Sequence, residues 1–193
     1  MYGLQAEAHF DGAHFLTDYY GKCENLHGHR WRVVATIEVE ELQDEHAPMP
    51  DGLAQSPYAK FGRGRIASTH VPGARHGKHA GKGTDAAASC GHAGTMRDMV
   101  LDFGVFKRTV AEVADELDHT FLVEEGSLKP ATIAALEDEG FTLSVLPFRT
   151  TAENLASWFF DRLSERGLPI SQVEVDETPN NRAFYAKKGH VGR

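Results

Sequence analysis

Apolar and polar residues alternate near the start of the chain. Ala6, Ala8 and Phe10 alternate with polar neighbours, which predicts a first strand that delivers His14 after a short turn. The stretch 30–40 shows the longest alternation, and it predicts a second strand with one apolar face. That face consists of Trp31, Val33, Ala35, Ile37 and Val39.

Spacings of three and four residues predict two amphipathic helices. One covers 103–118, where the apolar positions end just before or at Asp118. The other covers about 152–166, and Thr150 with Glu153 fits a capping box at its start. The apolar stripes are Phe103, Phe106, Val110, Val113 and Leu117 in the first helix, and Leu155, Phe159 and Leu163 in the second.

Later strands are predicted at 141–146 and 170–177, followed by 182–185 after a Pro-Asn-Asn turn. A strand at 97–102 is expected to pair with strand 30–40 in a hairpin. Strands in hairpins with two helices on one face make an α+β domain. We therefore expect residues 1–193 to form a single domain.

The stretch of about 45–96 departs from these patterns, because it is rich in Gly and His and shows little periodicity. It is interpreted as a long irregular insertion at the tip of the hairpin, and such a loop is uncommon unless it is functional or disordered. It is either a solvated loop or a basic flap that meets a phosphorylated ligand or a neighbouring subunit. A second metal site at Cys90 and His92 is a further alternative. The basic residues of the flap are Lys60, Arg63, Arg65, Arg75, Lys78 and Lys82.

Composition narrows the class of protein. The chain of 193 residues is 41% hydrophobic, which suits a compact subunit, and its formal charge of −8 disfavours nucleic acid as a general partner. No apolar run approaches the roughly 20 residues that span a bilayer, and the N-terminus lacks a signal-peptide pattern. Two cysteines in unlike contexts argue against a disulfide framework. These features predict a cytoplasmic protein.

Three histidines near the N-terminus have metal-ligand spacing. In an extended strand His27 and His29 project to the same side, and His14 can join them from a neighbouring strand. Three imidazoles suit Zn²⁺ and leave a fourth position for water or substrate, as in catalytic sites. A zinc finger would need paired Cys or Cys/His ligands at two ends of a small unit. The alternative is that these are surface or core residues among 11 histidines.

The segment from Cys23 to His29, which reads Cys-x-x-x-His-Gly-His and follows Ala13-His14, resembles the signature of the 6-pyruvoyl-tetrahydropterin synthase and 6-carboxytetrahydropterin synthase family. Four further blocks follow in the order of that family. These are Met99–Phe103, Leu117–Leu122, Thr151–Ala156 and Val173–Thr178.

The resemblance implies the tunnelling fold, an antiparallel four-stranded sheet with two helices packed on one face. In that fold subunits join their sheets edge to edge into a barrel, and trimers pair into homohexamers. An edge strand needs such covering, so this assembly is physically sensible.

The resemblance also implies roles for individual residues. Cys23 is expected to be a general base, and Asp118 with His119 to relay protons. Glu177 shares a strand face with two valines, and the resemblance implies that it anchors the pterin ring with help from Thr151. The alternatives are a small buried thiol, a histidine at a helix end, a solvated glutamate and, for Thr151, helix capping.

The reaction implied is the zinc-dependent conversion of 7,8-dihydroneopterin triphosphate into 6-carboxy-5,6,7,8-tetrahydropterin, acetaldehyde and triphosphate, a step of queuosine and deazapurine biosynthesis. The three-residue spacer between Cys23 and His27 resembles this bacterial subgroup, whereas pyruvoyl-forming synthases usually have a longer spacer. A 6-pyruvoyl-tetrahydropterin synthase is one alternative. Glu24 matches a subgroup that forms 6-hydroxymethyl-dihydropterin for folate synthesis, so a dual-function enzyme is a second alternative. Another is a non-catalytic zinc-containing binding module.

Overall fold

A computed structural model describes residues 1–44 and 96–187. These residues contain one mixed sheet of six strands and three α-helices, and none of the helices is long and apolar enough to cross a membrane. The strands are β1 (Tyr2–His14), β2 (His27–Val39), β3 (Thr120–Glu124), β4 (Leu143–Leu146), β5 (Ile170–Thr178) and β6 (Asn181–Ala186). The helices are α1 (Phe103–Asp115), α2 (Pro130–Asp138) and α3 (Ala152–Glu165).

The two N-terminal strands form the centre of the sheet. They pair in antiparallel register from Tyr2 opposite Val39 to His14 opposite His27. The alternation predicted for the second strand is confirmed, since Trp31, Val33, Ala35 and Ile37 are fully buried. The first strand continues through His14, without the short turn expected before it. The same antiparallel register continues to the end of the strand pair, so it determines which residues lie opposite the histidines.

The sheet corrects the expected strand count. The four antiparallel strands are present in the order β1-β2-β5-β6, but β3 and β4 extend the sheet beyond β1. β3 pairs with β1 in parallel through Gly12 and Ala13, and β4 pairs in parallel with β3. The chain passes through α1 or α2 before each of these strands, and such a crossover makes a parallel pair possible. The α+β class is confirmed, with six strands where four were expected.

Helices α1 and α3 share one core with the inner face of the sheet. In α1 the predicted stripe is buried at Phe106, Val110 and Val113, while Phe103 is 56% exposed at the first turn. The helix begins after Asp102, whose side chain accepts a hydrogen bond from the amide of Val105. It ends at Asp115, three residues earlier than expected. The residues after Asp115 therefore form a turn rather than helix, and this turn can place polar side chains next to the sheet.

The start of α3 differs from the predicted capping box. The N-cap is Thr151, whose hydroxyl oxygen accepts a hydrogen bond from the amide of Asn154 at 3.3 Å. Thr150 is fully buried instead, and its hydroxyl donates to the carbonyl of Phe15 at 3.2 Å. The inward-facing Thr150 cannot cap the helix, so the capping function moves one residue along the chain.

The strand predicted at 97–102 is absent from this part of the structure, where the chain forms turns and bends. Its backbone nevertheless meets the segment that follows β2. The amide of Gln43 donates to the carbonyl of Met99, and the amide of Asp98 donates to the carbonyl of Gln43, both at 3.0 Å. The backbone segments at Gln43 and at Asp98–Met99 are therefore hydrogen-bonded to each other. The predicted basic flap and the Cys90–His92 site lie outside the described residues.

Candidate active site

Three imidazoles lie together at one end of the β1–β2 pair. The register sets His14 opposite His27 and Gly12 opposite His29, so all three rings project to the helix-covered face. Their centroids are 4.6, 4.8 and 5.3 Å apart. The structure therefore brings together the three histidines that the sequence singled out.

An aromatic layer supports this cluster from the core side. The Trp31 ring lies 5.0 Å from His14 and 5.4 Å from His29, and Phe10 stacks on Trp31 at 5.8 Å. The indole N–H of Trp31 donates to the carbonyl of Gly12 at 3.4 Å. Because the Trp31 and Phe10 rings are buried and packed, they restrict the rotamers of the histidines.

The hydrogen bonds of the imidazole rings indicate which ring nitrogen is available to bind a metal. Nδ1 of His14 donates to the carbonyl of Thr150 at 2.9 Å, and Nδ1 of His27 donates to the carbonyl of Asn25 at 2.7 Å. A carbonyl only accepts, so each Nδ1 carries a proton, and in the neutral ring the lone pair is then on Nε2. The Nε2 atoms of His14, His27 and His29 are all buried without a hydrogen-bond partner. Backbone-oriented rings with converging Nε2 atoms are typical of metal ligands.

Glu177 completes the cluster from the end of β5. Its Oε1 lies 3.4 Å from Nε2 of His14 and 3.6 Å from Nε2 of His29. The ligand atoms of these four residues lie within 4.8 Å of one another, so the group could hold a metal ion. The neighbouring His14 ring lowers the pKa of Glu177 against the opposing effect of burial, while burial lowers the pKa of His29. A carboxylate and a neutral imidazole are the forms that bind metals.

The Asp118–His119 pair lies on the turn between α1 and β3. The amide of Asp11 donates to Oδ1 of Asp118, and the amide of His119 donates to the carbonyl of Asp11, both at 2.7 Å. His119 has a left-handed backbone with φ of 55°, which is uncommon for a residue other than glycine. These two bonds hold the pair against β1.

The side chains of the pair are coupled to each other. Nδ1 of His119 donates to Oδ2 of Asp118 at 2.7 Å, while the imidazole is 78% exposed. This hydrogen bond and the carboxylate charge raise the pKa of His119. The amide of Asp11 and the His119 ring lower the pKa of Asp118. The pair is thus an oriented imidazole whose protonated form is favoured, which suits an acid that donates a proton.

A cavity of about 490 Å³ lies beside His29 of the cluster and His119 of the pair. His29 and His119 both line it, together with Gly12, Ala13, Gly28 and Phe141. Its volume is in the range of small-molecule sites. A ligand in this cavity would therefore lie next to both His29 and His119.

The other predicted site residues are not part of these groups in the described chain. Cys23 and Glu24 lie on a 3₁₀ turn, Lys22–Glu24, just before β2, with the thiol half-buried and the carboxylate exposed. The carbonyl of Cys23 accepts from the amide of Leu16 at 2.8 Å, which ties this turn to the end of β1. Thr151 is occupied as the N-cap of α3.

Sequence reasoning missed two supporting residues. Asp11 positions the Asp118–His119 pair, and Thr150 orients His14 through its carbonyl. Both act mainly through backbone groups, which leave no residue-type signal. The contact of Glu177 with the imidazoles was also not foreseen, although its place at the end of the apolar line Val173–Val175 was.

Comparisons with known proteins agree on one family. The profile described as 6-pyruvoyl tetrahydropterin synthase matches residues 3–50 and 74–188. A 6-carboxy-5,6,7,8-tetrahydropterin synthase from Haemophilus influenzae is 28% identical over 189 residues, covering 96% of this chain and 99% of the relative. One from Synechocystis is 26% identical over 187 residues, covering 96% and 93%.

Two solved structures share the fold. An uncharacterized protein from Wolinella succinogenes superposes with a TM-score of 0.58 at 20% identity, covering 97% of this chain and 98% of the other. The 6-pyruvoyl tetrahydropterin synthase of Plasmodium falciparum gives 0.52 at 18% identity, covering 96% and 97%. At these identities the likeness concerns the architecture of the chain.

Proposed function

The chain belongs to the 6-pyruvoyl tetrahydropterin synthase family, and we propose that it is a zinc-dependent lyase acting on a pterin. The proposed substrate is 7,8-dihydroneopterin triphosphate, which with water gives 6-carboxy-5,6,7,8-tetrahydropterin, acetaldehyde and triphosphate. This product would feed queuosine and deazapurine biosynthesis. The names of the relatives from Haemophilus influenzae and Synechocystis support the carboxy-forming reaction over the pyruvoyl-forming one.

One observation carries the proposal, namely the convergence of three buried, unpartnered Nε2 atoms in a cluster whose member His29 lines the same cavity as His119. His14, His27 and His29 would hold the zinc. Zn²⁺ suits this donor set because it favours neutral imidazoles in a four-coordinate site. Zinc held there would supply Lewis acidity, which makes a C–H bond of the substrate side chain more acidic.

In the proposed mechanism the protein moves protons on either side of the substrate side chain. Cys23 is the proposed general base that removes a proton from the substrate side chain. His119, held by Asp118, returns a proton, and its raised pKa favours the protonated form that can donate. Elimination of triphosphate, followed by addition of water and carbon–carbon cleavage, balances the reaction. The 3₁₀ turn of Cys23 precedes β2 directly, which supports an approach of the thiol to a substrate beside His27.

The pterin ring is proposed to be held by Glu177. A carboxylate can accept two hydrogen bonds from the 2-amino group and the adjacent ring N–H. The lowered pKa of Glu177 supports this role, because only the ionised form accepts both. Thr151 would assist at the N-terminus of α3.

A dual-function enzyme is the second candidate, and the adjacency of Cys23 and Glu24 on one turn favours it. In this version Glu24 is an alternative base that directs cleavage to 6-hydroxymethyl-dihydropterin. A thiolate and a carboxylate on neighbouring residues can approach different substrate atoms, so each favours a different product.

The proposal includes the assembly and the location of the protein. Homohexamers built from trimers would cover the edges of the sheet. A cytoplasmic location would keep the Cys23 thiol reduced, as a general base of this kind requires.

The test is turnover of 7,8-dihydroneopterin triphosphate by the zinc-loaded protein, with the products separated by chromatography. We expect the carboxy product and acetaldehyde in equal amounts. Metal analysis should give about one zinc per chain, and His29→Ala should lose most of it, since two ligands rarely retain a tight site. Full zinc occupancy in His29→Ala would refute the ligand assignment, and absence of any pterin product would refute the activity.

A further inference from the structure

The end of β5 has an irregular backbone pairing. Asp176 lies opposite Arg32 on β2 and opposite Arg182 on β6, and it is the last residue of β5 that pairs with both neighbouring strands. The register with β6 then shifts by one residue, so Glu177 is an extra residue between the pairs formed by Asp176 and Thr178. Such a bulge often re-aims a side chain next to an active site. The position of Glu177 therefore depends on how firmly the chain is held at the residue before it.

Asp176 is held by both of the residues that lie opposite it. Oδ2 of Asp176 accepts a hydrogen bond from Nη1 of Arg32 at 3.1 Å, and Oδ1 lies 3.7 Å from Nε of Arg182. Asp176 is 6% exposed, and a carboxylate buried to this degree is costly unless cations pair with it. The two guanidinium groups therefore fix Asp176 between the neighbouring strands.

We propose that Asp176 is a positioning residue for Glu177. Its two ion pairs fix the end of β5 where the bulge begins, and this fixes the carboxylate that would hold the pterin ring. The inference rests on the proposed function, because it assumes the pterin contact of Glu177. Side chains alternate along a strand, so Asp176 lies on the face of the sheet opposite to the histidine cluster. It acts through Glu177 and does not contact the substrate.

The ion pairs of Asp176 belong to a row of charges that crosses four strands. Arg32 also pairs with Glu7 on β1, and Nη1 of Arg182 also lies 3.6 Å from Oε1 of Glu174 on β5. Each guanidinium group therefore keeps a carboxylate partner when Asp176 is replaced. For this reason we expect Asp176→Asn to fold, with β5 held less firmly at its end.

The first experiment measures the affinity of the zinc-loaded protein for 6-methylpterin by fluorescence titration. Asp176→Asn should weaken binding at least about fivefold, while the zinc content stays equal to that of the unsubstituted protein. Glu174→Gln is the matched control, since Glu174 shares Arg182 with Asp176 but lies two residues before it, and this variant should keep the original affinity. Unchanged affinity in folded Asp176→Asn, or an equal loss in Glu174→Gln, would overturn the inference.

A second variant decides the question if circular dichroism shows that Asp176→Asn does not fold. The side chain of Arg182 is 54% exposed, so Arg182→Gln removes one of the two ion pairs without changing a buried group. This variant should also weaken the binding of 6-methylpterin, by a smaller factor than Asp176→Asn. If Arg182→Gln keeps the original affinity, the ion pair with β6 does not position Glu177.

The second experiment distinguishes positioning of Glu177 from a general effect on the fold. In a Glu177→Gln background the charged anchor is absent, so adding Asp176→Asn should change the Kd for 6-methylpterin by less than about twofold. An equal loss in both backgrounds would mean that Asp176 acts elsewhere, and the inference would fail. If Glu177→Gln alone keeps the original affinity, the pterin anchor of the proposed function is wrong and the inference falls with it. If Glu177→Gln loses affinity while Asp176→Asn does not, the inference alone fails.

Discussion

Individual residues in the candidate site are fixed by atoms on other elements. Nδ1 of His14 is tied to a residue just before α3, and the carboxylate of Asp118 is tied to the amide of Asp11 on β1. Each link holds a reactive side chain in one orientation, and the bond to His14 also decides which nitrogen carries the proton. Substitutions of residues that contact the reactive groups are therefore expected to change the protonation of those groups.

Asp118→Asn tests this at His119. The hydrogen bond and charge of Asp118 raise the pKa of His119, so the variant should lower it toward about 6.5. NMR titration of the ring protons measures the change. Asp115→Asn, an exposed position on α1, should leave the titration unaltered. An unshifted His119 in Asp118→Asn would mean that the carboxylate does not control the imidazole.

The sign of the pH effects follows from the raised pKa of His119. Its folded-state value lies above the unfolded one, so the stabilisation by the pair is fully present below about pH 6.5. That stabilisation is lost as pH rises through the folded-state pKa. Proton donation by His119 declines over the same upper window, and in Asp118→Asn the decline should begin at lower pH.

Product identity is expected to depend on Cys23 and Glu24. Cys23→Ala should keep zinc and the fold but lose 6-carboxytetrahydropterin, and in a dual-function enzyme it would still form 6-hydroxymethyl-dihydropterin. Glu24→Ala should show the reverse. Chromatography of the products from both single variants and the double variant measures this. An unaltered product ratio in Glu24→Ala would leave a carboxy-forming enzyme with a solvated glutamate, and carboxy product at the original rate in Cys23→Ala would require another base.

Elements with a strong hydrophobic pattern could be predicted from the sequence. β2, α1 and α3 bury most of the residues that their periodicity indicates. α2 was missed because it buries none of its residues and so has no apolar stripe. β3 was missed because it has only five residues and pairs with a distant strand, a contact that local pattern does not encode. Leu101 in the predicted strand 97–102 is apolar because it packs in the core before α1, not because it belongs to a strand.

Variants of Thr151, at the start of α3, test whether this residue caps the helix, binds the pterin or does both. Thr151→Ala removes the acceptor for the amide of Asn154 and should lower the free energy of unfolding by about 1 kcal/mol. Thr151→Asp is also a good N-cap and should restore stability in denaturant titrations. If Thr151 also contacts the pterin, Thr151→Asp should still bind it weakly, whereas Thr151→Ser should retain both properties. Unchanged stability in Thr151→Ala would rule out a capping contribution.

At the scale of the whole molecule, the sequence could predict the histidine cluster but not its fourth member. His27 and His29 are two residues apart on one strand, so their convergence follows from strand geometry. Glu177 lies far along the chain, and its approach depends on the register of β5 beside β2, where Asp176 pairs with Arg32. The resemblance to a family supplied the residue, while only the assembled sheet brings its carboxylate to the imidazoles.

The same sheet has two outer strands in the described residues, β4 and β6, and both expose apolar side chains. Phe184 on β6 is 65% exposed and Val145 on β4 is 51% exposed. Exposed apolar edges favour pairing with another chain, which supports the proposed hexamer. Phe184→Lys introduces a charge at one edge, so we expect sedimentation velocity to show species smaller than the hexamer.

A control distinguishes the effect of a charge on an outer strand from the effect of a charge at any exposed apolar residue. Phe103 on α1 is 56% exposed but belongs to neither outer strand, so Phe103→Lys should sediment like the unsubstituted protein. In Phe184→Lys the introduced ammonium would face Glu174 across the β5–β6 pair, so the strand itself should tolerate the charge, and circular dichroism checks this. If folded Phe184→Lys still forms the full assembly, β6 is not a subunit interface. If both variants dissociate equally, surface charge rather than edge pairing controls the assembly.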